Sequence, residues 1–289
     1  MRRGRPRPIA FEGAAGLTLR ADVYGDPNGT PVILLHGGGQ TRHSWADTAC
    51  DLADDGWQVV SIDQRGHGDS DWSQERAYFF YDYAADIEAI VPQLAKPPVL
   101  VGASLGGLAA LLAEGEAREA FGLGLVLVDV APRMEPDGVE RIVAFMSAHP
   151  DGFASLEECA DAVAAYNPHR PRPKNPEGLA KNLRKGDDGR WRWHWDPGFL
   201  AIERGVSREG SDEGQRIDDA ARSVDVPTLL VRGRQSDLLS EEGARHFLGL
   251  VPHAEFVDVS GAGHMVAGDN NDVFTNSVRT FLRERIDRT

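Results

Sequence analysis

PVLVGASLGGLAALLAEG, residues 98–115, reads as a strand, a sharp turn and a helix in one stretch. Residues 98–101 are short and apolar, the pattern of a strand covered on both faces. Residues 105–115 are almost all Leu, Ala and Gly, a helix able to pack closely on its neighbours. Between them stands Gly102-Ala103-Ser104-Leu105-Gly106. A serine on so sharp a strand-to-helix turn has a strained backbone that leaves no room for bulky side chains two positions either side, and Gly102 and Gly106 meet that need. The helix beginning at Leu105 aims its N-terminal amides and positive dipole end at any negative charge that forms beside Ser104. A serine N-cap flanked by glycines for tight packing is the competing reading, and it accounts less well for the two glycines.

Working outward, apolar runs bounded by Gly, Pro or Asp recur at residues 32–35, 58–62, 99–101, 123–130, 228–231 and 254–259. Segments with helical spacing lie between or after them, at 45–54, 82–94, 105–120, 241–251 and 273–285. Strand alternating with helix predicts right-handed crossovers in a mostly parallel sheet, an α/β sandwich. Residues 9–11 and 17–24, joined by a Gly-rich turn, read as an antiparallel hairpin at the leading edge.

The alternation stops between about residues 131 and 224. Helical stretches at 139–148, 155–166 and 176–185, a Pro-rich passage at 167–176 and the segment RWRWHWDP at 190–197 read as an insertion above the sheet. In an extended chain Trp191, Trp193 and Trp195 share one face, with Arg190, Arg192 and His194 on the other. Packing is the first reading of those tryptophans; lining a substrate pocket, with Trp191 and Trp193 as candidates, is the second. The aromatic run Tyr78 to Tyr81 reads as packing ahead of its helix.

The chain's 289 residues carry 31 Lys+Arg against 45 Asp+Glu, a formal net charge of −14 that repels nucleic acid. Hydrophobic residues at 41% and charged residues at 26% place it among ordinary globular proteins. The acidic surface bears on solubility and not on oligomeric state. Cys50 and Cys159 fit no metal or disulfide spacing and suit a reducing compartment. The basic start is not followed by an apolar segment, and no stretch reaches the roughly 18 apolar residues of a membrane span. A cytoplasmic protein without membrane or nucleic-acid partners is expected.

Because a serine hydroxyl is a poor nucleophile at neutral pH, a base and an orienting acid are expected elsewhere in the chain. His264, in Ser-Gly-Ala-Gly-His at 260–264, follows the run at 254–259 and falls at the strand-end edge where ligands collect in open α/β sheets. It is the expected general base. Asp237, in RGRQSDLL after the run at 228–231, is the expected acid. Asp129, in LVLVDVAP, lies on the same rim and is its main competitor, read here as a cap anchor. No spacing suggests a metal site.

The chain resembles the α/β-hydrolase fold family over most of its length. The order Ser104, Asp237, His264 is that family's order of nucleophile, acid and base, and Leu35-His-Gly-Gly-Gly-Gln40 resembles its oxyanion loop. The resemblance implies a roughly eight-stranded, mostly parallel sheet in a three-layer α/β sandwich with a mainly helical cap. The core is then residues 1–131 and 223–289, the cap 132–222. It implies Leu105 as one oxyanion donor and Gly38 or Gly39 as the other, with Gly39 also a candidate for lining the pocket beside Trp191 and Trp193. Asp63-Gln-Arg-Gly-His-Gly-Asp-Ser70 resembles the family's DxRGxGxS turn, which is structural there, so Arg65 and His67 are set aside, as is His36.

A serine at the elbow, where epoxide hydrolases and haloalkane dehalogenases carry aspartate, implies acyl transfer without metal or organic cofactor. The expected activity is that of a serine hydrolase on a small-molecule ester or lactone, like carboxylesterases and acyl-homoserine lactonases. The alternatives are a C–C bond hydrolase, which the triple glycine resembles although Ala103 stands where that group usually carries Asn, and a cofactor-free perhydrolase. A small-ligand receptor with slow or no turnover is the reading from another class.

Overall fold

Four strands carry the centre of the molecule, and in the computed structural model nearly every residue in them is buried. They are β3 (Pro31–Leu35), β5 (Val99–Ala103), β6 (Gly124–Val128) and β9 (Thr228–Gly233). The structure describes residues 6–168, 172, 174–201, 212–264 and 271–286. The first five residues, parts of the Pro-rich passage and residues 202–211 of the insertion lie outside them.

Alternation along each strand divides the core in two. Ile33, Leu35, Leu100, Leu125 and Leu230 face one side, where they meet α2 (Phe80–Ile90), α3 (Leu105–Glu116), α6 (Asp212–Ser223) and α7 (Glu241–Leu250). Val32, Leu34, Val99, Val101, Val126 and Val231 face the other, against α1 (Ala46–Asp54) and Phe274, Val278, Phe281 and Leu282 of α8 (Asn271–Arg285). Layers on both faces explain why these strands are continuously apolar in sequence.

With β1 (Arg7–Glu12), β2 (Thr18–Gly25), β4 (Gln58–Ile62) and β10 (Glu255–Val259), the sheet has eight strands in the order β1-β2-β4-β3-β5-β6-β9-β10. Strand β2 is antiparallel to both its neighbours, and the pairs from β4 to β10 are parallel. From β3 the chain steps to β4 on one side and later to β5 on the other. The crevice beyond the carboxyl ends of β3 and β5 is therefore the topological switch point, where open α/β sheets bind ligands.

Between β6 and β9 lie α4 (Pro136–Ser147), α5 (Leu156–Tyr166) and a hairpin of β7 (Leu183–Lys185) and β8 (Trp191–Trp193). Residues 176–185, expected to be helical, instead form a 3-10 turn, Pro176–Asn182, that passes into β7. The Asn175 side chain caps that turn at Glu177, and Gly189, at φ 78°, supplies the left-handed residue of the hairpin connection. Helix α6, which the sequence reading placed almost wholly in the insertion, packs on α3: Ala220 lies so close that a Cβ on Gly115 would sit 2.1 Å from its carbonyl oxygen. No described helix is long and apolar enough to cross a membrane.

Candidate active site

Strand β5 delivers Ser104 to the rim with φ 47° and ψ −115°, a conformation that costs on the order of 1–3 kcal/mol in a residue with a side chain. The chain turns there because its neighbours are small. A Cβ on Gly102 would meet the Gly106 carbonyl at 2.3 Å, and one on Gly106 would meet Leu35 at 2.6 Å. Asp129, one residue past the end of β6, is a second rim residue with a side chain at positive φ, 50°. The register pairs Ala103 with Val128, so Ser104 and Asp129 leave their strands side by side.

The Asp129 carboxylate is fully buried. Its Oδ1 accepts from the Gly233 amide at 2.9 Å, and its Oδ2 accepts from the Ser236 hydroxyl at 2.5 Å and from His264 Nδ1 at 2.7 Å. Those donors come from the end of β9 and from the loops after β9 and β10, so one carboxylate ties three strand ends together. Asp129 thus holds the place beside His264 that the sequence reading gave to Asp237. Asp237 makes no bond to His264; its carboxylate pairs with Arg141 of α4 at 2.5 Å, with both side chains nearly half exposed. Ser236 explains the difference, because its Oγ also accepts the amides of Leu238 and Leu239, a local turn that sends the intervening Asp237 side chain outward. The hydroxyl of Ser104 and the imidazole of His264 share the rim without a hydrogen bond joining them, a gap that catalytic pairs commonly close only when substrate binds.

Across the crevice lies the loop after β3. The Gly37 carbonyl is held by His36 Nδ1 at 2.8 Å and by the Gln40 amide at 3.1 Å. The Gly39 amide donates to His67 Nε2 at 3.1 Å and the Gly37 amide to Gln40 Oε1 at 3.4 Å. Of the amides from Gly37 to Gln40, only that of Gly38 has no acceptor among the described residues. The amide of Leu105, first in α3, is in the same position. Two unengaged donors at the mouth of one crevice, with Gly37 against Ser104 (a Cβ there would lie 3.4 Å from the serine Cβ), form an anion-binding arrangement. Gly39 has its amide engaged and belongs to the wall of this loop.

His36 is wholly buried, and burial pushes its pKa down, so it stands neutral with Nδ1 donating to Gly37 and Nε2 accepting from the Gln64 amide at 3.0 Å. His194, just after β8, is pushed down to about 3 by burial first, then by His36 and Arg184. Its Nδ1 accepts the Gly68 amide at 2.6 Å. Further ties bind the hairpin and its flanks to the core: the Asp196 amide donates to the Gly66 carbonyl at 2.8 Å and Arg184 donates to the Gly68 carbonyl, both on the 63–70 turn, and Thr41 Oγ1, in the loop after β3, donates to Asn182 Oδ1 at 3.0 Å.

Helix α4 and the segment that follows β8 cover the glycine loop with apolar side chains. A Cβ on Gly38 would touch Phe199 at 3.1 Å, and one on Gly39 would touch Met146 at 2.9 Å and Trp195 at 3.1 Å. Of the tryptophans offered as pocket lining, Trp191 and Trp193 pack with Phe153, Cys159 and Leu183 in a small core of the insertion. Trp195, stacked on Trp193 at 4.8 Å between centroids, is the one that reaches the glycine loop. Sequence reasoning missed Met146 and Phe199, for which no spacing gave a signal. No group of three or more His, Cys, Asp or Glu among the described residues is placed to hold a metal ion.

Residues 32–276 match the alpha/beta hydrolase family. The chain is 30% identical over 262 residues to an esterase of Mycobacterium tuberculosis, covering 88% of this chain and 83% of that protein. It is 28% identical over 251 residues to the 3-hydroxybutyrate-oligomer hydrolase of Cupriavidus necator, covering 83% and 85%. Among solved structures, E-2-(acetamidomethylene)succinate hydrolase superposes with a TM-score of 0.84 at 24% identity, over 96% of this chain and 99% of that one.

Proposed function

The chain belongs to the alpha/beta hydrolase family, and we propose that it is a serine hydrolase that cleaves a small carboxylic ester or lactone through an acyl-enzyme. The observation that carries this reading is the His264–Asp129 hydrogen bond on the same rim as the strained Ser104. A proton on Nδ1, donated to Asp129, leaves Nε2 as the basic nitrogen. The base takes the Ser104 proton as Oγ attacks the carbonyl, then hands it to the leaving alcohol. The negative charge that forms on the carbonyl oxygen falls to the amides of Gly38 and Leu105, each worth about 2.7–4 kcal/mol in the transition state. Water activated by the same histidine releases the acid.

The esterases and hydrolases among its relatives support ester cleavage. Phe199, Met146 and Trp195, crowded over the glycine loop, favour a short, uncharged acyl group. We treat the elements between β6 and α6 as the cap that sets this limit. Cys50 and Cys159, which form no disulfide with each other, fit a cytoplasmic setting. The test is hydrolysis of a chromogenic ester series from acetate to decanoate beside a lactone series, with Ser104→Ala as the blank. Turnover that falls with acyl length and vanishes in Ser104→Ala is expected. Silence on every ester and lactone from folded protein would overturn the reading.

A further inference from the structure

We infer that His67, on the turn after β4, is a positioning residue for the oxyanion hole, fixing the peptide that follows Gly38 through a hydrogen bond from the Gly39 amide to its Nε2. The inference rests on the assignment of Ser104 and Gly38 above. Three consecutive glycines give residues 37–39 the loosest backbone the chain can offer, with no side chain of their own to hold them. Their orientation has to come from outside. The peptide joining Gly37 and Gly38 is held by its carbonyl, which His36 and the Gln40 amide grip at 2.8 and 3.1 Å. In a trans peptide that carbonyl points opposite to the Gly38 N–H, so holding one aims the other. The peptide joining Gly38 and Gly39 is held at its amide by His67 at 3.1 Å. With both flanking planes fixed, neither backbone rotation of Gly38 is free, and its N–H stays directed at the crevice.

His67 is suited to this by its two-sided chemistry. Its Nδ1 lies 2.9 Å from the Arg65 carbonyl, an acceptor, so the ring proton sits there and Nε2 carries the lone pair that the Gly39 amide needs. The ring is fully buried. His36 lies 5.1 Å away between centroids, Phe199 makes a T-shaped contact at 4.8 Å, and His194, just after β8, lies 6.0 Å away. Packed on these sides, the imidazole cannot rotate out of register, and the surroundings strengthen the bond it makes.

Two substitutions separate positioning from simple bracing of the turn. Asn places its amide near Nδ1 and retains the Arg65 contact alone; Gln reaches the Nε2 position and retains an acceptor for Gly39. His67→Asn is expected to lose roughly 10–100-fold in kcat, up to the loss of one oxyanion donor, with KM nearly unchanged. His67→Gln is expected to recover most of that loss. Affinity for a trifluoromethyl ketone, whose adduct with Ser104 carries an oxyanion, should fall in Asn by the same factor as kcat, while affinity for the product acid holds. Thermal melting of both variants accompanies the kinetics. Equal kcat in wild type and His67→Asn, or a Gln variant as slow as the Asn variant at matched stability, overturns the role of His67. Wild type that neither turns over esters nor forms the ketone adduct defeats the serine-hydrolase reading itself, and the role of His67 with it.

Discussion

Replacing Asp129 by Asn keeps the shape of the side chain and removes one acceptor from a site that uses both. Oδ1 takes the Gly233 amide proton, and Oδ2 takes those of Ser236 and His264. The Gly233 amide is fixed at the end of β9 and must find an oxygen, so the carboxamide oxygen goes there and its NH2 faces the other two. The Ser236 oxygen already accepts the amides of Leu238 and Leu239, so its hydroxyl loses its acceptor and gains none. The imidazole can meet a donor only with a bare Nδ1, which moves its proton to Nε2, where it blocks abstraction from Ser104. Selecting the wrong tautomer in this way costs about 10⁴ in kcat, equivalent to about 5.4 kcal/mol of barrier at 1.36 kcal/mol per decade. Asp237→Asn breaks only the half-exposed pair with Arg141, worth about 0–1 kcal/mol, and leaves kcat within about a few-fold. Steady-state hydrolysis of a short chromogenic ester, with active sites titrated and melting temperatures matched, distinguishes them. A collapse of kcat in Asp237→Asn with Asp129→Asn near wild type would refute the reasoning.

Further expectations concern stability. His194 is neutral in the fold, with its pKa near 3, against about 6.5 in the unfolded chain. Between those values the unfolded chain binds the extra proton, so stability is intact above about pH 6.5 and is lost as pH falls toward 3. By pH 5 the loss from this group is about 2 kcal/mol, that is 1.5 pH units at 1.36 kcal/mol each. Urea melts at pH 7.5 and 5 should show that difference shrinking by this amount in His194→Asn, whose amide oxygen still accepts from Gly68; an identical pH slope in both proteins would count against it. Arg65 and Asp86 form a bidentate pair at 2.6 and 2.7 Å with both side chains at most 5% exposed. Asp86→Ala leaves that guanidinium buried and unpaired, at an expected cost of about 3–5 kcal/mol in denaturant melts; a cost under about 1 kcal/mol would contradict the account of that pair.

The strands of the core were legible because each is short, apolar and bounded by turn residues, and the elbow because Gly102 and Gly106 admit no other side chain. Residues 176–185 misled because a helix and a 3-10 turn leading to a strand share the same spacing over so few residues; the partner strand that decides it is the Arg- and Trp-rich β8, more distant in sequence. The acid was ambiguous for a similar reason. Asp129 and Asp237 both follow strands ending on one rim, and the hydroxyl of Ser236 decides which of them turns inward. His67 passed for part of a turn because its Arg65 contact is local, whereas its bond to Gly39 spans 28 residues. Met146, Trp195 and Phe199 reach the site only through the docking of the insertion, which no period in the sequence encodes.

The central claim is that Ser104 carries the acyl group. Rapid-quench turnover of a short nitrophenyl ester, followed by intact-protein and peptide mass analysis, tests it directly. The account predicts a nitrophenol burst equal to the enzyme concentration and an added acyl mass confined to the peptide bearing Ser104, both absent from Ser104→Ala. Turnover without a burst in which no peptide gains mass, or an acyl group carried on a different residue, would contradict it.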